Sequence, residues 1–219
     1  MREPFRFKGI SSESMGVVLS DKWIDTKAGI NYESVEIEGR DGAILTPLNY
    51  KNVTKKVKAT LLNKGKLNSV MAWLSGQGIF EKDGRYRMAY IFDEIEYEQY
   101  GVIKETFEIP FIFEPFWYKA DTYTEYSQCV NNDGNMEAVP MIKLEGKGTV
   151  DITINNVRFA VSFDSSGSIE VDSKEKKEDK PQNISIGFEY PTLKPGRNEI
   201  TIHTGSCKVL MKRKDRWLG

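Results

Sequence analysis

The sequence predicts a mainly β protein of two domains, with one helix in the first domain. Apolar and polar residues alternate in short runs along most of the chain, which is the period of a strand with one buried face. Helical spacing of apolar residues is clear only in KGKLNSVMAWLSG. The chain of 219 residues is 39% hydrophobic and 29% charged, which is typical of a folded protein with room for two modest domains.

The first predicted domain covers residues 1–130 and contains the helix near 64–75. Phe5 and Phe7 alternate in an opening strand. The runs NYESVEIEG and KNVTKKVKATLL predict further strands, the second of them half exposed because its valines stand among lysines. The helix is predicted from four apolar residues at helical spacing before a terminating glycine: Leu67, Val70, Met71 and Leu74.

A charged turn lies between two of these strands, in the stretch EIEGRDGAIL. Glycine adopts positive φ without strain, and Asp-Gly is a strong hairpin signal. The segment 39–42 therefore predicts a tight turn with Arg40 and Asp41 at its tip.

The second predicted domain covers residues 138–219 and is almost entirely β. A polar, turn-forming stretch, CVNNDGNMEAVP, precedes it and predicts a linker. The run GTVDITINNVRFAVSF alternates on both sides of Asn155-Asn156, which predicts a hairpin with Phe159 and Phe163 in the core. Further short strands follow, with a turn at Pro195-Gly196, in the spacing of a sandwich or jelly roll.

Charge and composition exclude several classes of protein. A net charge of −1 does not indicate a nucleic-acid binder. The N-terminus lacks the apolar segment of a secretion signal, and no run is long and apolar enough to cross a membrane. Cys129 and Cys207 fit no metal or redox spacing, and we expect free thiols in a reducing compartment. The expectation is a soluble protein made in a cytoplasm.

Residues suited to catalysis are few. His203 lies in a predicted strand four residues before Cys207, and no third group is evident to orient a Cys-His nucleophile. Glu94, Glu96 and Glu98 fall on one face of a predicted strand with Asp93 opposite, where a glycosidase pair or a solvated face are both possible readings. Phosphate-binding, dinucleotide-binding and nucleophile-elbow motifs are absent from the sequence. We expect neither enzymatic activity nor a cofactor or metal.

Two further features leave alternatives open. Tyr190 and Trp217 are candidates for stacking on a saccharide, if the second domain exposes them. The basic end KRKDRWLG could contact phosphate or an acidic neighbour in an assembly, or form a solvated strand end.

The order of motifs resembles the distal tail proteins of phages with long, non-contractile tails that infect Gram-positive bacteria. FRFKGISSESMGVVL is followed by VEIEGRDGAI and the central helix, and FEIPFIFEPFWY closes the first domain. VPMIKLEGKGTVDITINN and the late YPTLKPGRNEITIHTGSCKVLMKRKDRWL complete the series. The resemblance covers essentially the whole chain, and the GRDG turn and the LKPGRNEI segment are its most specific parts.

This resemblance implies an N-terminal β-sandwich domain with one helix and an extended β-hairpin arm, and a C-terminal galectin-like β-sandwich. It implies a structural hub at the tail tip of a phage or prophage, in which a hexameric ring joins the major tail tube protein to a tail-associated or baseplate protein for host attachment. Receptor-binding proteins are possible further partners, and the protein would be made in the bacterial host. The alternative is a carbohydrate-binding module that contacts the host cell wall.

A ring subunit needs two complementary faces, which suggests where assembly contacts lie. Arg40 and Asp41 offer two opposite charges on a short turn and are our candidate assembly contact, although a solvated tip is an equal alternative. The hairpin over residues 86–109 is the candidate for the arm, and it fits two central strands of the sandwich equally well.

Overall fold

The structure is a computed structural model that describes residues 4–100, 104–187 and 189–219, and it is mainly β. A 3₁₀ turn spans Lys64–Lys66, the α-helix α1 spans Leu67–Trp73, and a second 3₁₀ turn spans Pro181–Asn183. The strands are β1 Arg6–Phe7, β2 Ile10–Ser11, β3 Val17–Leu19, β4 Ile30–Glu36, β5 Ala43–Tyr50, β6 Val53–Leu61, β7 Gly76–Lys82, β8 Arg85–Ile91, β9 Tyr97–Tyr100, β10 Lys104–Phe113, β11 Phe116–Lys119, β12 Thr124–Tyr126, β13 Cys129–Asn132, β14 Met141–Ile154, β15 Val157–Asp172, β16 Lys177–Glu178, β17 Ile184–Ser185, β18 Gly196–Thr204, β19 Cys207–Lys212 and β20 Arg216–Leu218.

The chain divides into two compact units, one of residues 1–117 with 218–219 and one of residues 118–217. The division falls before the predicted linker. Residues 118–130, which the sequence assigned to the first domain, belong to the second unit, because β12 pairs with β19 and β13 pairs with β18. The polar composition of CVNNDGNMEAVP indicated a linker, but the backbone of Cys129–Asn132 is a paired strand.

Strands of the first unit form a curved sheet in the order β2-β1-β7-β8-β10-β6-β3, with β9 beside β10. The inward side chains of these strands form an aromatic core. Phe111 and Phe113 alternate on β10, and their rings stack with centroids 5.0 Å apart. Phe80 of β7 packs edge-on against both of them. The predicted opening strand is confirmed, since Phe5 and Phe7 are fully buried in this core.

The predicted helix is present at the predicted place. Its apolar face buries Val70 and, just past its end, Leu74, and it sits against the aromatic core. Trp73 stacks on Phe5 at 5.8 Å, and its indole N–H donates to the carbonyl oxygen of Phe7 at 2.9 Å. The helix ends at Trp73, and Gly76 with φ of 70° begins the next strand.

Of the two readings of the hairpin over residues 86–109, an arm or two central strands, the structure agrees with central strands for β8 and β10. β8 lies between β7 and β10, and β10 lies between β8 and β6, so both are interior strands of the sheet. Residues 101–103, between β9 and β10, lie outside the described residues. The buried face of β10 carries Phe107, Phe111 and Phe113, whereas the buried face of β8 carries Arg87, Ala89 and Ile91. Alternation of this kind does not distinguish an arm from a core strand.

The second unit is built on the long ribbon of β14 and β15, as the alternating pattern predicts. Val150, Ile152 and Ile154 are fully buried, and Phe159 and Phe163 join them in the core. β14 also pairs with β19 along its first half and with β18 along its second half. The predicted separate strand GSIEVDS is the second half of β15, which runs on without a break.

The LKPGRNEI segment is fixed by Asn198, whose side chain is 2% exposed. Its amide donates to the carbonyl oxygens of Lys194 and Gly196, both at 2.8 Å, and its carbonyl oxygen accepts from the Lys194 N–H at 2.7 Å. Gly196 has φ of 87°, as the predicted turn requires. One buried amide therefore holds the turn that begins β18.

Candidate assembly surface

β4 and β5 form a two-stranded sheet of their own, which we call the arm and define as residues 30–50. The two strands pair antiparallel, with Val35 opposite Ile44 and Ser34 opposite Leu45. No other strand among the described residues pairs with either of them. The arm therefore has two open edges, each with a row of unpaired backbone groups.

The arm tip is the predicted charged turn. The Arg40 N–H donates to the carbonyl oxygen of Ile37 at 3.1 Å, and Gly39 and Gly42 take φ values of 78° and 76°. Arg40 and Asp41 are exposed, and their side chains make no ion pair with any residue in the described part of the chain. The turn is closed by its backbone and its glycines, so the two charges are available at its end, and their role in assembly stays a prediction.

Both faces of the arm carry large apolar side chains in contact with solvent. Val35 and Ile44 share one face and are 54% and 40% exposed. Leu45 and Tyr32 share the other face, and each is 58% exposed. Seven large apolar residues of the arm are exposed: Ile30, Tyr32, Val35, Ile37, Ile44, Leu45 and Leu48.

This composition is not that of a hairpin made to stand alone in water. An isolated two-stranded hairpin is marginally stable, and a contiguous apolar surface on a soluble protein marks a contact site. Burying a large apolar side chain completely contributes about 1.5–3 kcal/mol. Exposed apolar side chains on both faces of the arm are of the kind that marks a contact site.

The base of the arm is attached to the first unit by specific contacts. The Lys51 N–H donates to the carbonyl oxygen of Gly29 at 2.8 Å, which closes the hairpin where it leaves the unit. Tyr50 packs edge-on against Phe116, with ring centroids 5.2 Å apart. The base is thus tied to the core while the strands beyond it are exposed.

The sequence contained a signal for the arm that alternation alone obscured. Apolar residues occur at both parities of β4, with Ile30 and Tyr32 on one face and Val35 on the other. Apolar residues at both odd and even positions look like imperfect alternation if the strand has one buried face. The same pattern is expected of a strand that has apolar side chains on both faces.

The two candidate saccharide-stacking residues do not form an open platform. Trp217 is 9% exposed, and the Lys119 ammonium lies 5.1 Å from its ring centroid. Tyr190 is half-buried against the core of the second unit, and its hydroxyl donates to Glu178. This hydrogen bond raises the pKa of Tyr190 to about 12, with burial and the Glu178 charge adding to the effect. Saccharide stacking at these residues stays a prediction.

The candidate catalytic groups are not brought together as a nucleophile site. The His203 Nε2 lies 2.8 Å from the hydroxyl of Thr153 on an exposed sheet face. Cys207 is half-buried, and burial raises the pKa of its thiol. A nucleophilic cysteine requires the opposite shift. Within the described residues, no group of three or more His, Cys, Asp and Glu side chains has the arrangement of a metal site.

The acidic run after β8 differs from its prediction. Asp93, Glu94 and Glu96 are exposed and lie in an irregular segment between β8 and β9 rather than in a strand. They border an open cavity of about 800 Å³ over the outer face of β6 and β10, together with Lys56 and Lys58. Glu98 lies in β9, and its side chain is outside the described residues.

The basic end is largely engaged within its own unit. The Arg213 guanidinium contacts Asp133 at 3.0 Å and Asp215 at 2.9 Å, and Asp215 is 6% exposed. The Lys214 N–H donates to Asp121 at 2.9 Å. These contacts join the last strands to the start of the unit, so the arginine at the centre of this run does not form an open phosphate patch.

Comparison with known proteins was informative only at the level of structure. No family model matches the sequence, and no curated protein is similar to it. The fold is similar to the crystal structure of the SPP1 Dit protein, described as a paradigm of the hub adsorption apparatus in phages that infect Gram-positive bacteria, with a TM-score of 0.73 at 13% identity. That match covers 95% of this chain and 98% of the Dit chain.

Two structures of the activated phage p2 baseplate, with Sr and with Ca, give a TM-score of 0.44 at 7% identity. The matches cover 97% and 98% of this chain and 98% of the baseplate chain in each case. We base no conclusion on them. In the part of the chain that the structure describes, no helix has the length and apolar character to cross a membrane.

Proposed function

We propose that this chain is a distal tail protein, a structural hub subunit of the tail tip of a phage or prophage. The observation that carries the proposal is the likeness of fold to SPP1 Dit, which extends over nearly the whole of both chains. The order of the sequence motifs, from VEIEGRDGAI to LKPGRNEI, supports the same assignment independently of the fold.

Six copies form a closed ring in this proposal. A ring requires heterologous contacts, in which one surface of a subunit meets a different surface of the next. The arm supports this arrangement because it offers apolar faces and open strand edges that the subunit itself leaves uncovered. Arg40 and Asp41 at its tip are the proposed contact with a neighbouring subunit or with the tube.

The ring joins the tail tube protein on one side to a tail-associated or baseplate protein on the other, with receptor-binding proteins as possible further partners. The protein is then a component of the virion tail tip, made in the cytoplasm of the bacterial host. Its work is assembly rather than catalysis, which fits the scarcity of groups suited to chemistry.

Native mass in solution tests the proposal. Light scattering at several concentrations, with and without the tail tube protein of the same phage, should give a species of about 150 kDa from chains of 25.0 kDa. A closed ring keeps this mass on dilution. A chain that stays monomeric in both conditions would contradict the proposal, and saturable saccharide binding by that monomer would favour the carbohydrate-binding alternative.

A further inference from the structure

The first unit contains a buried arginine whose side chain makes no hydrogen bond to any described residue. Arg87 of β8 is 3% exposed, and its buried Nε has no acceptor. Its guanidinium carbon lies 3.8 Å from the Phe113 ring centroid and 4.0 Å from that of Trp117. The rings contribute cation–π attraction, but their faces offer the buried Nε–H no hydrogen-bond acceptor.

Two more cations lie around the same aromatic group. The Lys55 ammonium is 3.8 Å from the Trp23 ring centroid, and that of Lys82 is 6.0 Å from it. Trp23 in turn packs edge-on against Phe113, the ring that Arg87 contacts. The three cations therefore lie around linked aromatic rings, and we call them the cationic cluster: Lys55, Lys82 and Arg87.

Carboxylates reach the three cations unequally: Lys82 has an ion pair, the Lys55 ammonium donates to the Ile24 carbonyl oxygen, and no carboxylate pairs with the Arg87 side chain among the described residues. Asp83 pairs with Lys82 at 2.7 Å, and Asp25 accepts the Trp23 indole N–H at 2.9 Å, and both acids are exposed. Burial lowers the pKa of Arg87 to about 10, against the effect of Asp25. Burial also lowers the pKa of Lys55, against Asp25, and the neighbouring Arg87 and Lys82 charges lower it further.

We propose that the cationic cluster binds one oxyanion group, a carboxylate or a phosphate, with Arg87 as its main hydrogen-bond donor. Leaving a buried charge without acceptors is costly, whereas a charge-assisted pair with an oxyanion satisfies several donors at once. Lys55 supplies a second charge beside it. The site goes beyond the proposed hub role, because an oxyanion can occupy it whether or not the chain forms a ring.

The oxyanion has two possible sources, and they share the same chemistry. One is a free anion such as phosphate. The other is a carboxylate on the arm of a second copy, since the arm carries four exposed acids against the single basic Arg40: Glu33, Glu36, Glu38 and Asp41.

The direct test is titration of the ¹⁵N-labelled chain with sodium phosphate, and separately with sodium acetate, at constant ionic strength. We expect the Nε–H resonance of Arg87 and the indole N–H of Trp23 to shift with saturation in the millimolar range. The Nε–H of Arg158, which already donates to Asp151 at 3.0 Å, is an internal control that should not move.

Two neighbouring lysines give a matched pair of variants. Lys55 and Lys56 are adjacent on β6, but Lys55 faces the cluster while Lys56 is exposed on the outer face of the strand. Lys55→Gln should weaken phosphate binding at least threefold, and Lys56→Gln should leave it unchanged. Lys55 is only partly buried, so its variant should fold even if Arg87→Gln does not.

A double-mutant cycle on self-association distinguishes the second source. Lys55→Gln is combined with neutralisation of the four arm acids to glutamine or asparagine, and the association constants are compared by sedimentation. Non-additive losses would identify the arm carboxylate as the oxyanion. Absence of saturation in the titration together with strict additivity in the cycle would overturn the proposal. The site can bind phosphate in a chain that never forms a ring. Failure of the oxyanion proposal is therefore distinguishable from failure of the hub assignment.

Discussion

The arm offers the sharpest test of how this chain assembles. Val35 and Leu45 lie on opposite faces of the arm and are 54% and 58% exposed. We consider the double variant Val35→Thr with Leu45→Thr. Threonine is β-branched, a shape that strands favour, so the hairpin should persist while its faces become less apolar.

The expected size of the effect comes from the area that these side chains would still bury. Complete burial of such a side chain contributes about 1.5–3 kcal/mol, and slightly more than half of each remains exposed. Burying the exposed part of each side chain at a subunit contact contributes roughly 1–1.5 kcal/mol per residue, and most of this contribution is lost when the residue is threonine. The pair should thus weaken each contact by about 1.5–2.5 kcal/mol, or roughly 10- to 70-fold in the dissociation constant.

The assay compares sedimentation of the wild type, the double variant and the two single variants. Leu62→Thr is the matched control, because Leu62 is 46% exposed but lies outside the arm. The single variants report which face of the arm is covered. Urea unfolding should differ from the wild type by no more than about 0.5 kcal/mol for every variant, since all the replaced side chains are exposed.

An association constant of the double variant equal to that of Leu62→Thr, with both chains folded, would refute the reasoning. The arm would then be an exposed hairpin that takes no part in contacts between copies. A fall in association accompanied by a large loss of stability would show instead that the arm supports its own unit.

Three further predictions concern single residues. Asn198→Ala should destabilise the second unit by about 2–4 kcal/mol in urea unfolding, because the buried side chain is removed and the backbone groups of Lys194 and Gly196 lose their hydrogen bonds to it. Replacement of the exposed Asn131 by alanine should cost less than about 0.5 kcal/mol. Tyr190 has a pKa of about 12 in the folded chain and about 10 in the unfolded chain, so the free energy of unfolding falls as the pH rises from 10 to 12. Tyr190→Phe should reduce this fall when unfolding is measured as a function of pH. An unchanged pH dependence would contradict the hydrogen bond to Glu178. Arg40→Glu should lower the mass of the assembly in light scattering without changing the free energy of unfolding. Lys147→Glu, an exposed charge reversal in the second unit, should leave that mass unchanged. An intact ring with Arg40→Glu would favour a solvated tip.

Local patterns predicted the elements that one buried face defines. Phe5 and Phe7 were assigned to a core strand, and Val150, Ile152 and Ile154 to a core hairpin, because period-two alternation with one apolar face has a single packing solution. The helix was found for the same reason at a period of 3.6. The turn at Gly196 followed from residues that fix or free φ locally.

The alternation of apolar residues did not reveal the order of the strands in the sheets. The segments 86–109 and 30–50 both contain strands with alternating residues. Only strand pairing distinguishes them, because β8 and β10 lie inside a larger sheet while β4 and β5 pair with each other. Cys129–Asn132 appeared as linker because its polar residues suit a loop and a sheet edge equally.

By itself, the sequence determined a mainly β chain, its one helix, its principal hairpin in the second unit and its charged Gly-Arg-Asp-Gly turn. These depend on the spacing of neighbouring residues, which acts over a few positions of the chain. The tertiary structure alone decided that residues 30–50 project with both faces uncovered, that Trp217 is buried, and that Lys55, Lys82 and Arg87 meet around one aromatic group. Such convergence depends on strand order and on contacts between residues far apart in the chain, which local spacing does not encode.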